Sequence, residues 1–399
     1  MNFNAVNLVH VYYEGGRDRL SVGRIALKDR QFYFEYDAGF LKTGLLLSPF
    51  KLPLKSGLII PEDRVFQGLF GVFNDSLPDG WGRLLVDRKC LSQGINPQHL
   101  SPIDRLCFVG RHSMGALTYE PILTHEQQEV HYNFDVIAQE IVEFQEEDSD
   151  RCVDELLTLA GSSAGARPKV VIRMDGEEWI VKFRSSHDFK DSGAIEYAYH
   201  LMAKKAGLAL PEAKLFPSQK CAGYFGVKRF DRVNNKPIHM HSLSGLLHVD
   251  HREPTMDYDT ILKVTSALTK NTLECEKQFR AAVFNVFSHN RDDHTKNFSF
   301  LMSDEGVWSV SPAYDLIFSS GPRGEHCTLV MGEGRHPQSP HLLQLAFQAG
   351  IKAARAKEII GEVRDAVNQW PVFAKEAGVS PQTIKLIHTT LYSVVGHHS

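Results

Sequence analysis

The apolar positions of this chain alternate with polar ones in its first part and recur at helical spacing in its last part. The alternation predicts strands at residues 9–13, 21–27, 31–36, 170–174, 179–183, 298–302 and 307–310. The helical spacing predicts helices at residues 80–91, 134–147, 150–159, 193–207, 273–289, 342–350, 351–367 and 381–395. This order predicts an α/β (α+β) amino-terminal part with mostly antiparallel strands and a mainly α-helical carboxyl-terminal lobe.

A polar stretch follows the predicted helix 273–289 and precedes a predicted hairpin. It contains Asp292 and Asn297, five positions apart, and Asp315 lies just past the second hairpin strand. In protein kinases a loop Asp takes the proton of the acceptor hydroxyl, while an Asn five residues later and a further Asp hold magnesium on the ATP phosphates. Because a short hairpin brings its two ends together, we expect Asn297 and Asp315 to be neighbours and to suit Mg²⁺.

Other polar residues of this stretch have weaker or open roles. Asp293 is a poorer candidate base, because it stands only four positions before Asn297. His294 either contacts a phosphate or braces the loop, and Lys296 either neutralises the transferred phosphoryl group or is a surface lysine. The ordinary interpretation of one polar cluster is a solvated loop, but the spacing, the hairpin and the downstream Asp together favour phosphoryl transfer.

A loop of small residues at 161–169 lies upstream, before a predicted strand–turn–strand. Small side chains let main-chain N–H groups approach phosphate oxygens closely. Lys182 stands in the second strand between Val181 and Phe183, an unfavourable place for a lysine unless an anion meets it. Glu196, near the start of the next helix, either interacts with the helix dipole or pairs with Lys182. The arrangement is typical of a kinase phosphate loop and strand lysine.

Composition limits the class of protein. The chain has 399 residues, enough for two or three domains, with the 43% hydrophobic and 23% charged fractions of a soluble globular protein. We expect no membrane span, because no apolar run approaches about 20 residues. We also expect no signal peptide, because the first residues lack a basic start and an apolar core. Six cysteines without C-x-x-C spacing argue against a zinc cluster or disulfide framework and predict a cytoplasmic location. The net charge of −4 argues against broad nucleic-acid binding by this chain alone.

The ordered set of motifs resembles the HipA family of bacterial serine/threonine kinases, the toxin halves of HipA–HipB toxin–antitoxin pairs. The resemblance extends from about residue 11 to about residue 318. Its most specific element is the string Asp-x-His-x-Lys-Asn-Phe-Ser at residues 292–299. The matching segments are residues 73–81, 110–116, 162–169, 181–183, 196–197, 228–232, 292–299 and 312–316.

This resemblance implies a two-lobed, protein-kinase-like fold that binds ATP and Mg²⁺. It implies a HipA-like amino-terminal subdomain at residues 1–125, an ATP-binding lobe at 126–248 and a helical lobe with the catalytic loop at 249–399. Asp292 is the implied catalytic base, and Asn297 and Asp315 are the implied metal ligands. The implied ATP contacts are Ser163, Ala164, Gly165, Ala166, Lys169, Lys182, Lys228, Phe230, His294, Lys296, Asn297, Tyr314 and Asp315.

The resemblance also implies regulation and partners. In this family a serine of the phosphate loop is autophosphorylated and the kinase is switched off; the matching position is Ser162, with Ser163 next to it. A phosphoserine adds nearly two negative charges, which repel the ATP phosphates. The implied partners are a HipB-like helix-turn-helix antitoxin, operator DNA through that antitoxin, and a protein substrate such as an aminoacyl-tRNA synthetase, notably the glutamyl enzyme.

Other functional classes stay open from sequence alone. A metal-dependent phosphohydrolase would use His289, Asp292, Asp293 and His294 as ligands, but it leaves the loop of small residues and the strand lysine without a role. A non-catalytic pseudokinase that only partners a repressor is disfavoured by the intact set of kinase residues. A small-molecule kinase is a further alternative, because the same phosphate machinery serves many acceptors.

Overall fold

The structure is a computed structural model that describes residues 5–123, 132–146, 153–160, 165–185, 188–253 and 256–396. The strands are β1 (Leu8–Tyr13), β2 (Leu20–Lys28), β3 (Gln31–Tyr36), β4 (Leu117–Glu120), β5 (Lys169–Met174), β6 (Glu177–Lys182), β7 (Ala213–Phe216), β8 (Tyr224–Lys228), β9 (Arg232–Val233), β10 (Lys236–Pro237), β11 (His239–Ser242), β12 (Met256–Asp257), β13 (Ser299–Met302), β14 (Trp308–Val310) and β15 (Thr328–Leu329).

The helices account for most of the carboxyl-terminal part. They are α1 (Ala38–Leu41), α2 (Gly71–Asn74), α3 (Gly80–Ser92), α4 (Pro102–Val109), α5 (Phe134–Glu146), α6 (Val153–Ala160), α7 (Ser192–Lys205), α8 (Leu243–Leu247), α9 (Tyr258–Thr269), α10 (Thr272–Phe287), α11 (Ser339–Gln348), α12 (Ala353–Val367), α13 (Trp370–Glu376) and α14 (Pro381–Gly396). The predicted helices and strands are thus confirmed to within a few residues.

The chain divides into two compact units, which are described separately. Unit 1 comprises Met1–Asp188, Lys228–Val249 and Leu301–Val307, and unit 2 comprises Phe189–Val227, Asp250–Phe300 and Trp308–Ser399. The mixed fold with antiparallel strands agrees with the sequence prediction, whereas the two-lobed arrangement and the three predicted domain ranges stay predictions.

An antiparallel sheet with the strand order β3-β2-β1-β4 opens unit 1. Val9, Val11 and Tyr13 of β1 are buried, so the apolar alternation that predicted this strand is the alternation of its inner face. Phe34 of β3 packs against the ring of Phe73 in α2 at 5.0 Å between centroids. This contact fixes α2 on the inner face of the sheet, together with the start of the motif at residues 73–81.

The hairpin of β5 and β6 carries the predicted strand lysine. Its turn residues Asp175 and Gly176 both have positive φ, 54° and 77°, as a two-residue hairpin turn requires. The register pairs Lys169 directly with Lys182 at the open end of the hairpin. Tertiary structure therefore places two lysines of unit 1 opposite each other.

Unit 2 is built on helices around α10. Tyr199 of α7 is fully buried and lies 5.3 Å from the ring of Trp370 in α13 and 6.5 Å from that of Phe284 in α10. The buried Ile195, Tyr199 and Met202 confirm the predicted inner face of α7. These contacts hold α10, whose carboxyl end leads into the predicted catalytic loop.

Candidate active site

The predicted catalytic loop begins where α10 ends. Tyr199 donates a hydrogen bond of 2.6 Å to the main-chain oxygen of Ser288. His289 then takes a left-handed φ of 53°, and Asn290 N bonds back to Asn285 O at 2.9 Å. A residue in this conformation ends the helix, so the chain turns away from α10 at His289.

Asp292 and Asn297, predicted as base and metal ligand, are joined by a hydrogen bond. Asn297 Nδ2 donates to the main-chain oxygen of Asp292 at 2.7 Å. The residues between them close a short 3₁₀ turn, in which Asn297 N bonds to His294 O at 2.8 Å. With its amide nitrogen used in this way, Asn297 keeps Oδ1 as an acceptor, while the Asp292 side chain is 45% exposed.

The hairpin after the loop joins its two ends as predicted. Ser303 N bonds to Val307 O at 2.9 Å near the turn, and Ser311 N bonds to Ser299 O at 2.9 Å at the base. Tyr314 then connects the segment before Asp315 with the loop: its hydroxyl lies 2.5 Å from Lys296 O and 2.6 Å from Ser299 Oγ.

Asp315 itself has a left-handed φ of 57°, a conformation that Asp tolerates better than most residues. An amide oxygen from Asn297 and a carboxylate from Asp315 are the hard ligands that magnesium prefers. Among the described residues, no group of three or more His, Cys, Asp or Glu side chains could hold a metal. Magnesium needs no such cage, because it takes few protein ligands together with phosphates and water. The donor set of unit 2 therefore fits Mg²⁺.

Asp293 differs sharply from its neighbour Asp292. Its side chain is 0% exposed, and its carboxylate accepts hydrogen bonds from Tyr258 Oη at 2.8 Å and from His326 Nδ1 at 2.9 Å. Thr328 N is a third donor at 3.2 Å. Sequence analysis missed these partners, and no local spacing could have found them, because they lie more than 30 residues from Asp293.

His294 lies beside the proposed base. Its Nε2 is 4.0 Å from Asp292 Oδ1, and its ring lies 5.2 Å from that of His251. Its Nδ1 is buried without a hydrogen-bond partner in the described part of the chain. The structure thus places His294 next to Asp292, and its predicted contact with phosphate stays a prediction.

The four side chains predicted as metal ligands of a phosphohydrolase do not point to one common site. His289 bonds through Nδ1 to Ser319 O at 3.0 Å and stacks on Phe318 at 5.2 Å between ring centroids. Burial and the nearby Arg291 lower the pKa of His289 to about 4. Asp293 is used by buried donors, so these two side chains serve the internal packing of unit 2.

Two of the predicted phosphate-loop residues, Gly165 and Ala166, lie in unit 1. The other three, Ser162, Ser163 and Ala164, are outside the described residues. Gly165 O accepts a hydrogen bond of 3.1 Å from Trp81 N, at the start of α3. The motif at residues 73–81 and the end of the small-residue loop are thus in contact.

The segment predicted to contact adenine is fixed by a buried charge network in unit 1. Lys228 pairs with Glu177 at 2.9 Å, and Arg229 bonds to Asp231 at 2.7 Å through Nη2. Asp231 also accepts a hydrogen bond of 2.7 Å from Gly115 N. Burial disfavours the charged carboxylate, but Arg229 and Arg232 outweigh it and hold the pKa of Asp231 well below its usual range. This network positions the main chain around Phe230.

A serine, a histidine and an aspartate of unit 1 also form a hydrogen-bonded line. His241 lies 3.0 Å from Ser48 Oγ through Nε2 and 2.6 Å from Asp75 Oδ2 through Nδ1. Nucleophilic catalysis uses such an order of groups, but Ser48 is only 1% exposed and His241 is 0% exposed. Asp75 also accepts from Ser242 N at 2.7 Å, so the line connects α2 with α8 as a structural contact.

Comparison with known proteins establishes the family. The family model of the HipA-like C-terminal domain matches residues 161–370, more than half of the chain, and that of the HipA N-terminal domain matches residues 10–120. The chain belongs to the HipA family. The recognition made from the sequence motifs is therefore confirmed, and both matched HipA domains include motifs quoted for it.

Curated relatives of this HipA-family chain carry kinase names. "Putative kinase Y4dM" of Sinorhizobium fredii is 28% identical over 230 residues, which are 54% of this chain and 56% of that relative. "Putative kinase Y4mE" of the same organism is 27% identical over 359 residues, which are 80% of this chain and 75% of that relative. The chain thus spans about half the length of the first of these relatives.

A solved HipA structure has the same fold. The HipA of Shewanella oneidensis MR-1, solved in complex with HipB and its operator DNA, matches with a TM-score of 0.73 and 17% identity, over 98% of this chain and 97% of that chain. At this identity the likeness concerns the fold. Within the described residues, no helix has the length and apolar character to cross a membrane.

Proposed function

We propose that this chain is an ATP-dependent serine/threonine protein kinase toxin, which transfers the γ-phosphoryl group of ATP to a hydroxyl of another protein. The observation that carries the proposal is the 2.7 Å hydrogen bond between Asn297 Nδ2 and Asp292 O, beside the 45% exposed Asp292 carboxylate. This bond keeps the proposed base and the proposed metal ligand in one short turn. Membership of the HipA family and the kinase names of relatives support it.

In the proposed reaction, Asp292 accepts the proton of the acceptor hydroxyl while the hydroxyl oxygen bonds to the γ-phosphorus and the bond to ADP breaks. Asn297 Oδ1 and the Asp315 carboxylate would hold Mg²⁺. When bound, magnesium neutralises charge on the phosphate oxygens. His294 and Lys296 contribute further contacts to phosphate oxygens, and Tyr314 keeps the turn and the Asp315 segment together.

Unit 1 contains residues with the chemistry of anion binding. Lys169 and Lys182 are direct partners in the register of β5 and β6, so both stand at the open end of this hairpin. In line with the family resemblance, we assign both lysines to the phosphates of ATP. The remaining contacts proposed for ATP come from Ser163, Ala164, Gly165, Ala166, Lys228 and Phe230.

Regulation and partners follow from the same proposal. Autophosphorylation of Ser162, or of Ser163, switches the kinase off by adding negative charge where the ATP phosphates bind. A HipB-like antitoxin neutralises the toxin and connects it with operator DNA; the Shewanella complex, which contains these components together, supports this part. The proposed substrate is an aminoacyl-tRNA synthetase, with the glutamyl enzyme first among them, in the cytoplasm.

Intact-mass spectrometry with MgATP tests the proposal. The wild type should gain phosphoryl groups, and Asp292→Asn should lose transfer by a factor on the order of 10²–10⁴ while its melting temperature is unchanged. Asp365→Asn is the matched control, because this carboxylate on α12 is 72% exposed. Peptide mapping then separates Ser162 from Ser163.

Three results would contradict the proposal in different ways. Wild-type transfer by Asp292→Asn overturns the base assignment. ATP binding without transfer to itself or to any protein of a cell lysate indicates a pseudokinase. Phosphatase activity without ATP indicates the phosphohydrolase.

A further inference from the structure

The residue after the proposed base is a buried anchor point. The Asp293 carboxylate is 0% exposed and has three donors, two of which come from the segment that follows Asp315. Because an ionised carboxylate only accepts, we assign the proton of the shared hydrogen bond to His326 Nδ1. The main-chain oxygen of Asp293 also accepts from the hydroxyl of Thr328. One loop residue is thus held through its side chain and its main chain.

The same segment, residues 318–335, holds the loop on the other side of Asp292. Arg291 donates to the main-chain oxygen of Gly324 and, at 2.7 Å, to that of Arg335. Cys327 N bonds to Arg291 O at 3.2 Å. Burial and the negative charges of Asp293 and Asp292 raise the pKa of Cys327 to about 12, so this side chain stays a neutral thiol. The main chain that carries Asp292 is therefore fixed on both sides.

A buried tyrosine links this anchor with the helices. Tyr258, the first residue of α9, accepts a hydrogen bond of 2.9 Å from Asn285 Nδ2 of α10 and donates one of 2.8 Å to Asp293. Burial and the Asp293 charge raise the pKa of Tyr258 well above its usual value, so the hydroxyl stays protonated as a donor. Just before it, β12 pairs in parallel with β15, through Met256↔Thr328. The helix α9, the predicted catalytic loop and the segment 318–335 therefore all contact the carboxylate of Asp293 or its neighbouring main chain.

We propose that Asp293 and His326 are positioning residues of the phosphoryl transfer, which set the place of Asp292 through the main chain of the loop. This inference rests on the proposed function, because it concerns the rate of that reaction. Asp293 itself does not meet substrate, since its carboxylate is 0% exposed. Removing the His326 donor should displace the loop that carries Asp292.

The test compares three histidine variants. His326→Leu removes the donor to Asp293, and His326→Asn restores an N–H donor close to the Nδ1 position. His336→Leu is the matched control, because it makes the same substitution at an exposed histidine of the neighbouring segment. For each variant we measure the rate of phosphoryl transfer, the dissociation constant for MgATP, the melting temperature, and hydrogen–deuterium exchange of the peptide 289–297.

The expected transfer rate of His326→Leu is lower by on the order of 10- to 100-fold, because small displacements of a reacting group are costly. Its transfer rate should fall by a larger factor than its affinity for MgATP, and exchange of the peptide 289–297 should increase. His326→Asn should recover most of the rate, and His336→Leu should behave as the wild type.

Two outcomes overturn the inference. In the first, His326→Leu is folded and transfers phosphate at the wild-type rate. In the second, the lower rate of His326→Leu is explained entirely by a smaller folded fraction, and His326→Asn does not restore that fraction. A wild type without transfer contradicts the proposed function instead. Exchange of the peptide 289–297 still decides then whether His326 holds the loop, with the α12 peptide 353–367 as the internal reference.

Discussion

At the scale of single residues, the buried charge of Arg229 is held by acidic and main-chain partners together. Arg229 is 6% exposed, donates to Asp231, and pairs with Glu178 at 3.0 Å through Nη1. Its Nη2 also reaches the main-chain oxygen of Ser113 at 3.1 Å. Each buried charge in this group has an opposite charge in contact, which offsets part of the cost of desolvation. The motif at residues 110–116 therefore serves to fix the 228–232 segment.

Arg229→Met should lower the free energy of unfolding by about 3 kcal/mol, because it leaves Asp231 buried with fewer compensating charges. Urea denaturation measures the change. Arg24→Met is the control, since Arg24 pairs with Glu35 at the surface, and it should change the stability far less. Equal effects of the two substitutions would show that the buried network contributes no more to the free energy of unfolding than a surface ion pair.

At the scale of elements, close approach of two short helices in unit 1 depends on glycine. A Cβ on Gly71 of α2 would lie 2.0 Å from the main-chain oxygen of Gly245 in α8. Main-chain atoms cannot move away as a flexible side chain can, so a methyl group here forces the helices apart. Asp75 then loses its short bonds to Ser242, and the motif at residues 73–81 loses its support.

Gly71→Ala should therefore destabilise unit 1 by about 3 kcal/mol, the upper part of the range for an overpacked contact. Gly361→Ala provides the opposite control: it lies inside α12, where a Cβ would meet no atom within 4 Å. This second substitution should stabilise the protein by about 0.5–1 kcal/mol, because alanine favours the helix. Chemical denaturation of both variants distinguishes a steric clash from a general effect of the added methyl group.

At the scale of the whole molecule, both units contain histidines that are kept neutral. Burial lowers the pKa of His239 in unit 1 and of His200 and His289 in unit 2 to about 4 each, from an ordinary 6.5. Between these two values the unfolded chain binds more protons than the folded chain. The contribution of these histidines to the free energy of unfolding therefore falls as the pH falls from 6.5 to about 4. Below pH 4 they are protonated in both states, so their contribution no longer changes with pH.

The contribution of His239 can be isolated. This side chain is fully buried and bonds to Leu47 O at 2.8 Å, so its share of the loss is at most about 3 kcal/mol. His239→Gln keeps a donor but does not titrate, and it should flatten the dependence of stability on pH between 6.5 and 4. His10→Gln, the same substitution at an exposed position, is the control. Urea denaturation at several pH values decides between them.

The sequence by itself determined the local elements and the spacing of the candidate chemistry. The strand that ends in Lys182, the hairpin after the loop, and the positions of Asp292, Asn297 and Asp315 all follow from short-range periodicity and turn residues. The two-residue pairing of β12 with β15 and the short helix α13 were not predicted. Elements of two to seven residues are too short to show a hydrophobic periodicity. The family was also readable, since its motifs are contiguous in the chain.

Only the tertiary structure decided what supports the loop. Asp293 meets Tyr258 across 35 residues and His326 across 33, and nothing in the local pattern marks these partners. The carboxylate that looked like a second candidate base is an internal anchor, because it is buried and its neighbour Asp292 is not. Local periodicity records which face of an element is apolar, whereas the pairing of buried polar groups depends on which distant segments the folded chain brings into contact.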